Sequence, residues 1–188
     1  MRAHGFTLIE LLVGMVIFLI GLGLIYAIYF SGQDIWELER TKLDMQAGAR
    51  TAATQMANEL RRTTRTSTQG PSPNAVIPAA PNNTQITFYL PRDADGDTIP
   101  DVANDLIIWN INNPIVYRYV PAQKELRRLE NGIEKVLARD VTDVRFFDAN
   151  IDGSLLLNEI KVVLSLGKTT AKNRTVAFSL TSMVRLRN

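Results

Sequence analysis

Cysteine is absent from the 188-residue chain, and histidine occurs once, at His4. The first absence removes disulfides, thiolate nucleophiles and cysteine-ligated zinc together, and leaves the redox compartment open. The second leaves the chain beyond residue 4 without an imidazole for a catalytic triad, a zinc site or a general base near neutral pH. Net charge is also scant. The formal value of +2 falls to +1 without Arg2 (2 − 1), and no long basic run stands out, so charge gives no case for nucleic acid. Proline is missing from Gln33 to Arg65, where Gly48 is the one glycine, and between Phe6 and Phe30 the one charged residue is Glu10.

What is there in place of charge is a long apolar run. Phe6 to Phe30 is 25 residues, about 38 Å as a helix, enough to cross a hydrocarbon core of about 30 Å. The run ends Ala27-Ile28-Tyr29-Phe30-Ser31, a poor small-x-small cleavage site, so it is expected to stay attached as a membrane span. Arg2 before it, with Asp34, Glu37 and Glu39 after it, favours a cytoplasmic N-terminus and an extracytoplasmic head. Glu10 is the anomaly, because a carboxylate at the buried end of an apolar helix costs several kcal/mol, ~3 on insertion scales, unless neutralised or paired. Two readings stand: it reaches water at the interface, or it pairs with a positive group of a neighbouring subunit such as a free N-terminal amine. Gly14, Gly21 and Gly23 within the run fit either close helix packing or simple tolerance in a membrane.

The proline-free stretch predicts that the helix continues to about Arg65. Ile35, Leu38, Met45, Ala49, Ala52, Met56 and Leu60 recur at steps of three and four, interrupted by Lys42, and form the face expected to carry the head. Thr63 to Ala80, with Gly70, Pro71, Pro73 and Pro78, reads as a loop. Alternating or β-branched runs then predict strands near Gln85–Leu90, Leu106–Ile111, Ile115–Val120, Lys124–Leu129, Val141–Phe147, Glu159–Leu166 and Thr175–Leu186. Asn112-Asn113-Pro114 and Asn131-Gly132 supply turns, and Ile133–Ala138 suits a strand or a short helix.

The segment Gly5-Phe6-Thr7-Leu8-Ile9-Glu10-Leu11-Leu12-Val13 resembles the type III signal of type IV prepilins and pseudopilins almost residue for residue. That resemblance implies cleavage by a prepilin peptidase after Gly5, N-methylation of Phe6, and Glu10 as the assembly carboxylate. It also implies an α+β, pilin-like fold: a long N-terminal transmembrane and stalk helix packed on a C-terminal antiparallel sheet. The corresponding division is a leader at residues 1–5, a transmembrane part at 6–30, a stalk helix at 31–65 and a β-rich head at 66–188. Val141-Thr142-Asp143-Val144-Arg145-Phe146-Phe147-Asp148 and the tail Phe178 to Asn188 look like the J-type minor pseudopilins of type II secretion and the PilW-type minor pilins. The partners so implied are other minor and major pilins or pseudopilins, the peptidase, an inner-membrane assembly platform and membrane lipid. The expected role is to prime or cap a filament. An adhesin or substrate-binding module on a pilin anchor is the alternative, and neither reading is enzymatic.

Two acidic loops suggest calcium, with no organic cofactor. Asp93, Asp95, Asp97 and Asp101 occupy loop positions one, three, five and nine, with the Ile99 carbonyl at seven and Asn104 or Asp105 at the end. The run resembles the Asp-x-Asp-x-Asp loops of thrombospondin-type repeats, departing from them at Thr98 and Asn104. Asp148, Asn150, Asp152 and Glu159 have EF-hand spacing and are the weaker metal candidate, since strand-like flanks make Asn150 to Ser154 a hairpin turn. No nucleophile and base accompany either loop.

Overall fold

The computed structural model describes residues 7–64, 75–94, 100–103 and 106–187. Helix α1 runs from Leu8 to Leu60, and the chain divides into two compact units, Met1–Thr41 and Lys42–Asn188. From Leu11 to Phe30, within the first unit, α1 is apolar around its whole circumference. Among the large apolar residues from Leu8 to Phe30, even the least exposed, Leu22, keeps 36% of its surface open. Among the described residues nothing covers this stretch, so its sequence demands an apolar solvent.

In the second unit α1 buries one narrow face: Met45, Ala49, Ala52, Ala53, Met56, Ala57 and Leu60. Four of the seven are alanines, and Met45 and Met56 supply the long, flexible side chains of that face. The expected face held from Met45 onward. Ile35, which was assigned to it, is instead 60% exposed. The helix also stops five residues early. Arg62 and Thr63 donate to the carbonyls of Glu59 and Leu60, three residues back, tightening the last turn, and the Thr63 carbonyl then accepts from the Arg187 amide at 3.0 Å. The helix end is thereby tied to the chain's tail.

The first antiparallel sheet contains β1 (Ala75–Val76), β2 (Gln85–Phe88), β5 (Ile115–Val120), β6 (Glu125–Glu130) and β7 (Ile133–Ala138), in that spatial order. A separate two-stranded ribbon pairs β3 (Val102–Ala103) with β4 (Leu106–Ile107). The second sheet has the order β10-β9-β8, from β8 (Val141–Phe147), β9 (Glu159–Thr169) and β10 (Thr175–Arg185). Asn131 and Gly132 both have positive φ, 51° and 76°, the geometry of a tight hairpin, and this settles Ile133–Ala138 as a strand. The expected strand Leu106–Ile111 shrinks to Leu106–Ile107. Beyond it Trp109 makes only an isolated bridge to Pro91, which has no amide to donate, and the chain turns at Ile111–Asn113. The two-residue strands β1 and β3 were too short to carry a visible alternation.

Ile86, Phe88, Ile115, Tyr117 and Leu126 from the first sheet, with Val141, Val144, Phe146, Ile160, Val162 and Leu164 from the second, are buried. The sheets are joined through Asn83, whose side-chain amide donates to the Phe146 carbonyl at 3.0 Å while its carbonyl accepts from the Phe146 amide at 2.8 Å. Arg145 donates to the Asn83 side-chain oxygen at 3.1 Å, so this buried amide is satisfied on both ends.

One polar cluster fixes α1 on the first sheet. The Tyr117 hydroxyl donates to Glu59 Oε2 at 2.7 Å, Arg128 Nε donates to both Glu59 oxygens at 3.0 and 3.1 Å, and Arg128 Nη1 reaches Glu130 at 2.7 Å. The side chains of Glu59 and Arg128 are 16% and 14% exposed, so the pair is desolvated enough to specify how helix meets sheet. Burial first, then the hydrogen bond to Glu59 and its charge, push the Tyr117 phenol far above its ordinary value. The raised folded pKa gives a stability contribution complete below about pH 10, the unfolded value, and lost as pH rises above it, because only the unfolded chain then releases the proton. Full-length protein in detergent should therefore lose melting temperature above about pH 10, and Tyr117→Phe should flatten that alkaline decline. Equal slopes for the two proteins, read by circular dichroism, would refute the assignment.

Candidate functional site

The start of α1 is built as a reciprocal cap. Thr7 precedes the first helical residue, and its carbonyl accepts the first intrahelical bond, from Leu11, at 3.2 Å. Its hydroxyl accepts from the Glu10 amide at 3.4 Å, while Glu10 Oε2 accepts from the Thr7 amide at 3.2 Å and the Thr7 hydroxyl at 3.1 Å. This is a capping box, placing a carboxylate where the helix dipole and orphan amides favour negative charge. The anomalous acid thus has local partners. Thr7 was missed as a functional residue, although a threonine three residues before a glutamate at the head of an apolar run is the sequence signature of that cap.

From Leu11 to Phe30 the helix carries no charge, and 20 residues rise about 30 Å, the thickness of a hydrocarbon core. Glu10 therefore falls at one boundary of the span. At the other, Tyr26 and Phe30 stack at 6.0 Å between centroids and Tyr29 meets Phe30 edge-on at 5.8 Å, amphipathic rings of the kind that favour a membrane–water interface. Adding a Cβ at Gly14, Gly21 or Gly23 meets nothing within 4 Å, so these glycines are not required by contacts inside the chain. Gly5 and Phe6, the expected cleavage and methylation positions, lie outside the described residues.

Of the first acidic loop, Asp95, Asp97, Ile99, Asn104 and Asp105 also lie outside the described residues. Asp101 is held at its base: Oδ2 stands 3.3 Å from Arg92 Nε, and Oδ1 accepts from the Ala94 amide at 3.4 Å. Backbone bonds from Asp101 to Arg92, Arg92 to Ile108 and Ile108 to Asp101, all 2.8 Å, close the loop. In the second loop each acid serves its own turn. Asp148 Oδ1 accepts from the Asn150 and Ile151 amides at 3.0 and 3.1 Å, and Glu159 accepts from the Leu156 amide at 3.1 Å. Asp152 takes the Ser154 amide and hydroxyl at 3.1 and 2.6 Å and pairs with Lys161. Lys161 foremost, with Ser154, pulls the Asp152 carboxyl down to about 2. Among the described residues no three acidic or histidine side chains gather around a common point.

Residues 1–26 match the family described as the prokaryotic N-terminal methylation motif. No curated protein and no solved structure gives a significant match. Residues 8–26 of the motif match lie on the apolar part of a helix long enough to cross a membrane, and antiparallel sheets follow that helix. Together these define a type IV pilin-like protein. The motif indicates a subunit of the pilin class and implies processing by a prepilin peptidase and assembly with other pilins, and with the apolar helix it is consistent with a membrane anchor. Members carrying this motif are structural rather than catalytic.

Proposed function

We propose that this chain is a minor pilin or pseudopilin that joins other minor subunits through its N-terminal helix to prime or cap a type IV pilus or a type II secretion pseudopilus, and that it catalyses nothing. The observation carrying this reading is the conjunction on one helix of a bare apolar cylinder from Leu8 to Phe30 and a capped Glu10 at its head. The cap gives Glu10 a role within its own helix, and the same carboxylate, placed at the membrane boundary, can also neutralise an arriving amine, from which an assembling helix gains. The tail resemblance to J-type and PilW-type subunits supports the minor role. In this reading the N-terminus is cytoplasmic, the head is periplasmic, and the assembly platform lies in the inner membrane.

The site assignments follow from the same scheme: cleavage after Gly5, methylation at Phe6, assembly through Glu10. Mass spectrometry of membrane-extracted protein should find a chain beginning at methylated Phe6, and recovery of intact Met1 from cells with an active prepilin peptidase would overturn the processing scheme. Glu10→Ala should leave the protein processed and membrane-bound but abolish filament priming, and normal filament numbers would remove Glu10 from assembly. The first acidic loop is proposed as a calcium site that stiffens the head, with Asp93, Asp95, Asp97 and Asp101 as carboxylate ligands. Millimolar calcium should then raise the melting temperature of the protein, and Asp95→Ala with Asp97→Ala should erase the rise. A melting curve indifferent to calcium would retire the site.

A further inference from the structure

Strand β10 is an eleven-residue strand at the edge of its sheet. It pairs with β9 in an unbroken register from Thr175↔Thr169 to Arg185↔Glu159, and among the described residues β9 is the one strand beside it. Natural edges are blunted by lysines, prolines, bulges or shortness. This one has none of these: Val176-Ala177-Phe178-Ser179-Leu180-Thr181-Ser182-Met183-Val184 is uncharged and proline-free. Its core-facing side is also unfinished. Val176 and Val184 near the ends are buried, whereas Phe178, Leu180 and Ser182 between them are only half-buried. A long edge without a bulge, uncharged from Val176 to Val184, beside a half-covered apolar strip is the form a sheet takes where another strand is to be added.

The strand is also complementary to itself. Antiparallel pairing of its full length, Thr175 to Arg185, with a second β10 centres on Leu180, which then faces its own counterpart across a two-fold axis. Val176 faces Val184, Phe178 faces Ser182, Ala177 faces Met183, Ser179 faces Thr181, and Thr175 faces Arg185. No like charges oppose one another, β-branched apolar residues meet at both ends, and hydroxyls meet on the outer face. The centre is a residue, so the inner side chains of both copies stay on one side. We propose that β10 is an interface with a second copy of this chain, the two strands joining antiparallel about Leu180 into one continuous sheet. This goes beyond the assembly role proposed above and does not rest on it, since the contact lies in the head and needs neither processing nor a filament.

The cysteine-free sequence makes the test direct. Full-length Leu180→Cys protein in detergent, mildly oxidised, should form a disulfide-linked species of twice the monomer mass, while Ser165→Cys on the interior strand β9 should not. No crosslink at Leu180, or an equal yield from Ser165→Cys, overturns the proposal. A Leu180 crosslink formed in cell membranes only to a different polypeptide overturns it too, in favour of a foreign strand. Charges on the exposed outer positions supply the second arm. Ser179→Lys with Thr181→Lys, placed in the Leu180→Cys background, sets lysines opposite one another and should cut the crosslink at least tenfold, as should the paired Glu substitutions. Mixing the Lys and Glu proteins should restore it. Failure of the mixture, with both proteins retaining native circular dichroism, refutes the stated register, and an oligomer driven by the anchor helix alone would ignore these charges.

Discussion

A helix that presents leucine, isoleucine, valine and phenylalanine on every side must find an apolar solvent, and this requirement organises the rest of the molecule. From Leu8 to Phe30 the described residues offer no cover, so lipid or other helices must supply it. The helix then changes character without breaking. From Met45 onward its apolar residues narrow to a stripe of alanines and methionines that the head buries. One secondary-structure element therefore meets two solvents, and no proline between Gln33 and Leu60 interrupts its hydrogen bonding.

Within the second unit the sheets are held to α1 by two kinds of contact. The face of alanines and methionines gives burial without direction, whereas Glu59, accepting from Tyr117 and Arg128, fixes a register. Desolvated ion pairs add little net stability because the lost hydration offsets most of the attraction, but leaving either member alone is costly. The cluster thus penalises misplacement more than it rewards placement. The tie between Thr63 and Arg187 acts similarly at the other limit of the chain, where the end of α1 meets the second residue beyond β10.

Much of this was legible in the sequence, for identifiable reasons. The span and Glu10 stand out because a single charge in an apolar run has no averaging to hide it. Strands β5, β8, β9 and β10 were visible because each is at least six residues long, enough for period-two alternation to show. Strands of two residues carry no period, so β1 and β3 were not found. The buried face of α1 was placed correctly from Met45 to Leu60, yet Ile35 was included with it, because helical spacing says which residues share a face but not where the covering partner begins. The Glu59 cluster had no sequence signal at all, its members lying 58 and 69 positions apart. The Thr7 cap did have one, overshadowed by the charge beside it.

That cap changes how the membrane acid should be understood. A helix starting at a lipid boundary leaves amide donors with no intrahelical acceptor, and hydrocarbon supplies none. Glu10 and Thr7 satisfy two of them, so the carboxylate is first a structural answer to the helix's own polarity. If a neighbour's N-terminal amine is its assembly partner, binding that amine exchanges or supplements bonds already made to Thr7, and the net gain is smaller than for an unpartnered charge in lipid. Such an exchange leaves the solitary subunit stable in the membrane. A filament end held together this way could add and release subunits without any one of them passing through a state with a bare charge in hydrocarbon.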